Sequence, residues 1–320
     1  MKAFVTGATG FLGGALARQL RVRGDEVVSL VRSPRKAGGL RDLDCEIVEG
    51  DLRDVDVLRR AVKGTDAVFH SAAMYEIGVP RSWRPRMFDA NVGGAEHVLD
   101  AAIEARVPRI VHVSTINVYG DSRGIVRTDE SLPDRAEFLS VYDETKYLAH
   151  RVALQRIEDG APVTIVCPGA IYGPADPSEL GKQIRLIQRG KRQPVGFAGM
   201  GLNVLHVEDA AAGLLLAHDR GNPGQTYVLG GEITTLGDLL GAAARILGRK
   251  PPRTLPTWAI RLGIPFGPLV GKLMGVPPNL RELVRLSDGV TYWASDQKAR
   301  EDLGYAPRDL ETGLRQTVAA

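Results

Sequence analysis

A short apolar run at the N-terminus, Ala3-Phe4-Val5, leads straight into Thr6-Gly7-Ala8-Thr9-Gly10-Phe11-Leu12-Gly13, and a helical pattern begins at once. Leu12, Leu16 and Leu20 recur at i, i+4 and i+8, and Gly24 follows where a helix would be capped. Glycine at every third position of a strand-to-helix turn has a specific use. Gly7 permits the tight turn, Gly10 lets the backbone approach a pyrophosphate, and Gly13 lets helix and strand pack closely. The helix start then offers free N–H groups and a positive dipole end to phosphate. A plain strand–helix connection is the alternative. Placement at the first strand and first helix favours a dinucleotide site, with Gly7, Thr9, Gly10, Phe11 and Leu12 against the cofactor.

The rest of the first half repeats this rhythm. Val- and Ile-rich runs recur at 27–31, 46–48, 67–70, 110–113 and 163–166, with longer segments of helical period between them. Two such segments, 91–105 and 142–157, read as long helices. Near-continuous apolar strands alternating with helices predict an α/β fold, a Rossmann-type doubly wound parallel sheet covered on both faces. After Pro168 prolines multiply and strands thin out. Helices are expected at 235–247, starting on Thr235, and at 295–303, ending at Gly304. The reading is a cofactor domain over 1–168, with 203–230 returning to it. A smaller, mostly helical substrate lobe takes 169–202 and 231–320.

Composition narrows the class. Apolar residues make up 44% and charged residues 25% of 320, which suits a folded globular chain rather than a disordered one. Lys and Arg total 41 against 38 Asp and Glu, and the basic residues are interspersed with acids, so nucleic-acid binding is not expected. Cys45 and Cys167 both lie in apolar runs and read as reduced, buried thiols. No stretch has the ~20 uninterrupted apolar residues of a spanning helix, and the N-terminus lacks the apolar core of a signal peptide. A soluble cytoplasmic protein is expected. His206 and His218 show no metal-ligand spacing, and no metal is expected.

Chemistry concentrates at the predicted strand ends. The second strand ends in Arg32. An acidic residue there accepts hydrogen bonds from the ribose of NAD, whereas arginine matches a 2′-phosphate. Arg32, with Arg35 and Lys36 nearby, points to NADP, with NAD or a merely solvated basic turn as alternatives. Tyr142 and Lys146, at i and i+4, share one helix face. An ammonium beside a phenol lowers its pKa and makes a general acid/base for a carbonyl or alcohol oxygen. The fifth strand runs into Ser114-Thr115-Ile116-Asn117-Val118-Tyr119-Gly120, and a hydroxyl there can bond the same substrate oxygen. His70, in an apolar run, reads as a core histidine. Tyr75 and Trp83, past the fourth strand, are substrate-loop candidates or simple packing.

These residues carry a resemblance. T-G-A-T-G-F-L-G, Asp51-Leu52, His70-Ser71-Ala72-Ala73, Asn91-Val92-x-Gly94, S-T-x-x-V-Y-G, Y-x-x-x-K and Pro168-Gly169-x-x-Tyr172-Gly173-Pro174 occur in the order found in extended short-chain dehydrogenases/reductases. The segments 203–211 and 227–232 look most like the dihydroflavonol-4-reductase branch, which includes hopanoid-associated sugar epimerase homologues. The resemblance spans nearly the whole chain. It implies that Thr115, Tyr142 and Lys146 are the catalytic set and that Lys146 also holds the nicotinamide ribose. It places Asp51 and Leu52 at the adenine, Ser71, Ala72, Ala73 and Asn91 along the middle of the cofactor, and Pro168 to Ile171 at the nicotinamide end. Ser71 and Asn91 have a purely structural alternative, as caps or turns. Tyr75, Thr115 and Asn117 become substrate-site candidates, and many such relatives dimerise through helices matching those that start near Asn91 and Tyr142.

Departures from the pattern narrow the reaction. Sugar-nucleotide dehydratases carry Asp-Glu after the catalytic Thr, where this chain has Ile116-Asn117. Enzymes of nucleotide sugars commonly place an Arg before the segment that here reads Asn203-Val204-Leu205-His206, and none is present. Arg185, Arg189 and Arg192 lie upstream as possible substitutes. An apolar segment with Trp258, Ile260, Leu262, Ile264, Phe266, Leu269, Val270, Leu273 and Met274 reads as a lid over a hydrophobic substrate, or as a bent helix of the lobe's own core. The expected activity is NADP-dependent carbonyl reduction or alcohol oxidation of an apolar compound by a homodimer. A nucleotide-sugar epimerase with tightly bound NAD(P) is the alternative, and a non-catalytic NADP sensor a third reading.

Overall fold

In a computed structural model of the chain, the residues described are 1–128, 130–191, 194–266 and 279–319. Seven parallel strands form the main sheet in the order β10-β6-β5-β4-β1-β2-β3. They are β1 (Lys2–Thr6), β2 (Glu26–Val31), β3 (Glu46–Glu49), β4 (Ala67–His70), β5 (Arg109–Val113), β6 (Val163–Pro168) and β10 (Thr226–Leu229). The strand order reverses between β1 and β4, the switch point at whose C-terminal side open α/β sheets bind ligands.

Burial explains why these runs read as unbroken apolar stretches. Every residue of β4, β6 and β10 is buried, because helices cover both faces. Side chains alternate between two cores. Ala3 and Val5 face one that also holds Leu16, Leu20 and Leu214, while Phe4 faces the other with Leu58, Leu99 and Ile165. The edge strand β3 is only partly covered.

The helix Phe11–Val22 starts on Gly10, and Gly24 follows it at φ +88°. The expected helix from Asn91 differs in detail. A short helix Arg84–Phe88 passes through a widened π-turn, Asp89–Gly93, before the regular helix Gly94–Glu104. Side-chain periodicity does not distinguish such a turn from ordinary helix. The helix Val141–Glu158 is capped by Ser140, whose hydroxyl accepts from the Asp143 N–H.

The second half builds a three-stranded sheet, β11-β9-β7, from β7 (Ala170–Tyr172), β9 (Gly201–His206) and β11 (Glu232–Thr235), and a small pair, β8 (Val195–Gly196) with β12 (Thr254–Leu255). The helices Glu179–Gln188, Leu236–Ile246 and Leu310–Ala319 pack there around Ile184, Leu240 and Leu314. The helix Val207–Asp219 shares the core of the main sheet, and β10 pairs with β6. The chain therefore returns to the main sheet from Val207, while 203–206 stay in the smaller sheet. No helix of the described residues is long and apolar enough to cross a membrane.

Candidate active site

Six parallel strands end on the residues singled out from sequence. Gly7 follows β1, Arg32 β2, Asp51 β3, Ser71 β4, Thr115 β5, and Pro168 closes β6. One edge of the sheet therefore collects the whole set, as strand C-termini do in doubly wound folds.

The glycine loop is built for close approach. Gly7 has φ +77°, and a Cβ there would sit 2.8 Å from the Ala72 nitrogen. A Cβ on Gly13 would overlap the Gly7 carbonyl. Gly10 is exposed, begins the helix with no side-chain cap, and donates its own N–H to the Gly7 carbonyl at 2.8 Å. The helix start thus has no side-chain cap on its first turn. Thr9 is exposed, and Phe11 and Leu12 are half-buried beside it. Thr6 ties the loop to the next strand end, with its hydroxyl 2.8 Å from His70 Nδ1 and accepting from the Ala72 N–H at 3.2 Å. His70 is buried and held neutral, its pKa pushed down to about 3 by burial and by the nearby Lys146 charge. These features fit a dinucleotide pyrophosphate, which supplies negative charge where the helix dipole is positive.

After β2, Arg32 is exposed and close enough to Asp51 to help hold its carboxylate ionised. Asp51 is also bound by Arg53, at 2.8 Å. Leu52 packs against Gly94 and its carbonyl lies 2.8 Å from His97 Nδ1. Asn91 is buried and its amide is fully engaged. It accepts from the Met74 N–H at 2.6 Å, and donates to the Met74 carbonyl and to Thr145 Oγ1. Asn91 thereby pins the loop after β4, carrying Ser71, Ala72 and Ala73, to the helix bearing Tyr142.

Tyr142 is buried among Met74, Ile77, Val79 and Met87, with the exposed Tyr75 ring edge-on to it at 4.8 Å. Burial is the largest influence on its phenol and raises its pKa well above the usual value, with Tyr75 and Asp143 acting in the same direction. The nearby Thr115 hydroxyl opposes that shift. Lys146 differs from the expected arrangement. Its ammonium donates to the Val113 carbonyl at 2.8 Å, and burial lowers its pKa to about 8. In this geometry desolvation, and not a lysine charge, sets the state of the phenol, which remains protonated at neutral pH. A buried protonated phenol beside a hydroxyl can donate to a carbonyl oxygen brought to the same point.

Asn117 is half-buried and already committed on both sides. Its Oδ1 lies 3.3 Å from Thr115 Oγ1, and its Nδ2 donates to Asp143 Oδ1 at 3.0 Å. Asp143 was not foreseen as part of the site. As the residue after Tyr142 on a helix it reads as ordinary surface charge, and only the fold shows it to be 1% exposed. Glu282, on the helix Leu280–Ser287, lies 3.3 Å from the Gly78 N–H and brings the C-terminal lobe onto the loop after β4.

Pro168 is buried and Ile171 half-buried on β7. Trp83 is 37% exposed, with Arg86 over its ring at 5.4 Å. Of the apolar lid candidates, Trp258 and Leu262 lie on the helix Thr257–Gly263 and are exposed, whereas Ile260 and Ile264 are half-buried. Leu269, Val270, Leu273 and Met274, like Arg192, lie outside the described residues. Among the described residues no group of three or more His, Cys, Asp or Glu is placed to hold a metal ion.

Known proteins match this architecture. A profile of the NAD dependent epimerase/dehydratase family matches residues 3–230. The chain is 34% identical to the 4-hydroxy-2-methyl-3-oxo-4-farnesyl-3,4-dihydroquinoline-1-oxide ketoreductase of Stigmatella aurantiaca, over 96% of this chain and 92% of that one. It is 31% identical to a 3 beta-hydroxysteroid dehydrogenase/Delta 5-->4-isomerase of Mycobacterium tuberculosis, over 96% and 86%. The structure of DesIV, a dTDP-glucose 4,6-dehydratase from Streptomyces venezuelae with NAD and TYD bound, superposes with a TM-score of 0.80 at 27% identity, covering 100% of this chain and 96% of that one. The chain belongs to the NAD dependent epimerase/dehydratase family of extended short-chain dehydrogenases/reductases, a family of NAD(P)-dependent enzymes.

Proposed function

We propose that the protein is an NADP-dependent carbonyl reductase or alcohol dehydrogenase of an apolar substrate. The observation that carries this reading is Tyr142. Its phenol is kept protonated in an apolar pocket, near the Thr115 hydroxyl, at the C-terminal edge of the sheet. The bound nicotinamide would supply or take up a hydride. Thr115 orients the substrate oxygen, Tyr142 gives or takes its proton, and Lys146 supplies positive charge beside β5. Gly7, Thr9, Gly10, Phe11 and Leu12 would hold the pyrophosphate. Asp51 and Leu52 would lie at the adenine, Ser71 to Ala73 along the middle of the cofactor, and Pro168 and Ile171 at the nicotinamide end. Tyr75, exposed beside Tyr142, is placed to meet the substrate.

Arg32 supports NADP over NAD by offering a guanidinium to a 2′-phosphate. The likeness to a ketoreductase and a hydroxysteroid dehydrogenase supports the reaction class. Ile116 and Asn117, where dehydratases carry acid and base, argue against elimination. A likeness to a nucleoside-diphosphate-sugar epimerase from Pseudomonas aeruginosa, at 26% identity and a TM-score of 0.78, keeps epimerisation as the second reading. Boundaries at 168/169 and around 230 would separate cofactor domain from substrate lobe. The helices Gly94–Glu104 and Val141–Glu158, joined by Arg156 and Asp100 at 2.6 Å, would supply a homodimer interface. The buried, unpaired Cys45 and Cys167 suit the reducing cytoplasm.

The test is a screen of aromatic and long-chain ketones and aldehydes by loss of NADPH absorbance, run beside UDP- and GDP-sugars. Net NADPH consumption with a member of the apolar set is the expected result. Interconversion of a sugar epimer with no net NADPH change would replace the reductase by an epimerase.

A further inference from the structure

The catalytic reading leaves the buried Asp143 unused. Asp143 is 1% exposed and follows Tyr142 directly. Its Oδ1 accepts from Asn117 Nδ2 at 3.0 Å, and its Oδ2 is buried without a hydrogen-bond partner among the described residues. Asn117 in turn reaches Thr115 twice. Its backbone N–H donates to Thr115 Oγ1, and its Oδ1 lies 3.3 Å from the same hydroxyl.

The chemistry of these groups fixes a direction. An ionised carboxylate only accepts hydrogen bonds, so the atom of Asn117 facing it must be the NH₂. The carbonyl end of the amide must then face Thr115. That end only accepts, so the hydroxyl proton of Thr115 is drawn toward Asn117 and away from the substrate. One acceptor position on Thr115 remains, and it suits an alcohol O–H. A neutral group at position 143 releases this lock. The Asn117 amide can then turn over and present NH₂ to Thr115, whose proton is freed to point at a carbonyl oxygen.

We propose that Asp143, acting through the Asn117 amide, sets whether Thr115 accepts or donates at the substrate oxygen and so biases the site between alcohol and carbonyl ligands. Asp143 and Asn117 are positioning residues here, and the inference rests on Thr115 and Tyr142 being the carbonyl/alcohol site. The surroundings place the switch in a useful range. Burial raises the Asp143 carboxyl to about 6, against bonds from Asn117 and Ser140 and the charge of Arg135. Glu282, from the C-terminal lobe, raises it further. Tyr75, Tyr142 and Tyr292 also lie within electrostatic reach and stay neutral through this range, because a phenol ionises only near pH 10 and burial of Tyr142 and Tyr292 favours the uncharged form further.

Two measurements on the protein test this. The first needs no substrate. In protein labelled with ¹⁵N-asparagine, with Asn117→Ser used for assignment, the Asn117 side-chain amide should shift through a transition centred near pH 6. It should be insensitive to pH in Asp143→Asn. An amide that does not move between pH 5 and 8 in the wild type overturns the proposal. The second uses acetophenone and 1-phenylethanol with NADP(H). At pH 8 Asp143→Asn should lower the KM for the ketone by roughly tenfold, the scale of one correctly paired buried hydrogen bond, and leave kcat less affected. The wild type should approach the variant as pH falls to 5. A variant that raises the ketone KM, or that keeps the wild-type pH dependence, also overturns the proposal. If neither compound turns over, the reductase reading is judged by the wider carbonyl screen, and the amide titration alone decides the role of Asp143.

Discussion

Replacing Asp143 by Asn should stabilise the protein at alkaline pH, although it removes a charged hydrogen-bond acceptor. The carboxyl rises from an ordinary 3.8 to about 6 on folding, because burial outweighs the bonds from Asn117 and Ser140. A raised acid pKa means that the folded state binds the proton more tightly than the unfolded chain. The resulting stabilisation is complete below about pH 4 and is lost as pH rises through 6. Two pH units at ~1.4 kcal/mol each give about 3 kcal/mol of lost stability at pH 8. An asparagine never ionises, offers an amide that pairs with Asn117 in either orientation, and escapes that loss. Urea unfolding at 25 °C, followed by tryptophan fluorescence, should show Asp143→Asn more stable than wild type by up to about 3 kcal/mol at pH 8. The gap should close toward pH 4. A variant less stable than wild type at pH 8 would refute the reasoning, by showing that the Asn117–Asp143 bond is worth more than the desolvation it costs.

Three further outcomes follow from the geometry. Gly13→Ala places a methyl against the Gly7 carbonyl and should weaken NADPH binding at least tenfold in a calorimetric titration, whereas Gly38→Ala, with open space around its Cα, should leave binding unchanged. Tyr142→Phe should retain the fold and NADPH affinity and lose roughly 10²–10⁴ in kcat, the usual worth of a positioned acid/base; near-normal turnover would remove Tyr142 from the mechanism. Arg32→Ala should narrow a wild-type preference for NADPH over NADH by one to two decades in kcat/KM, since a charge-assisted contact contributes roughly 1.5–3 kcal/mol; a wild type that prefers NADH would contradict the assignment.

Much of this molecule is legible in one dimension, because its strongest determinants are local. Glycine spacing, the period of apolar side chains and the helix caps act within a few residues of chain. They place β1 to β6, the helix Phe11–Val22 and the strand ends on which Gly7, Arg32, Asp51, Ser71 and Thr115 stand. A parallel sheet carries all those ends to one edge, so the membership of the site follows from strand order. The states of its groups do not. Tyr142 and Lys146 share a helix face as their spacing requires, yet the ammonium goes to the Val113 carbonyl and the phenol is governed by burial. Asn91 reads as a cofactor contact or as a cap or turn, and only the fold shows its amide bonded to Met74 and Thr145. Asp143 looks like surface charge until the turn bearing Asn117, the segment bearing Arg135 and the helix bearing Glu282 close around it. Desolvation and hydrogen-bond pairing depend on what surrounds an atom in space, and residues far apart in the chain supply those surroundings. Sequence alone therefore determined which residues meet at the sheet edge, and only the packed structure decided which of them are charged, engaged or free to act.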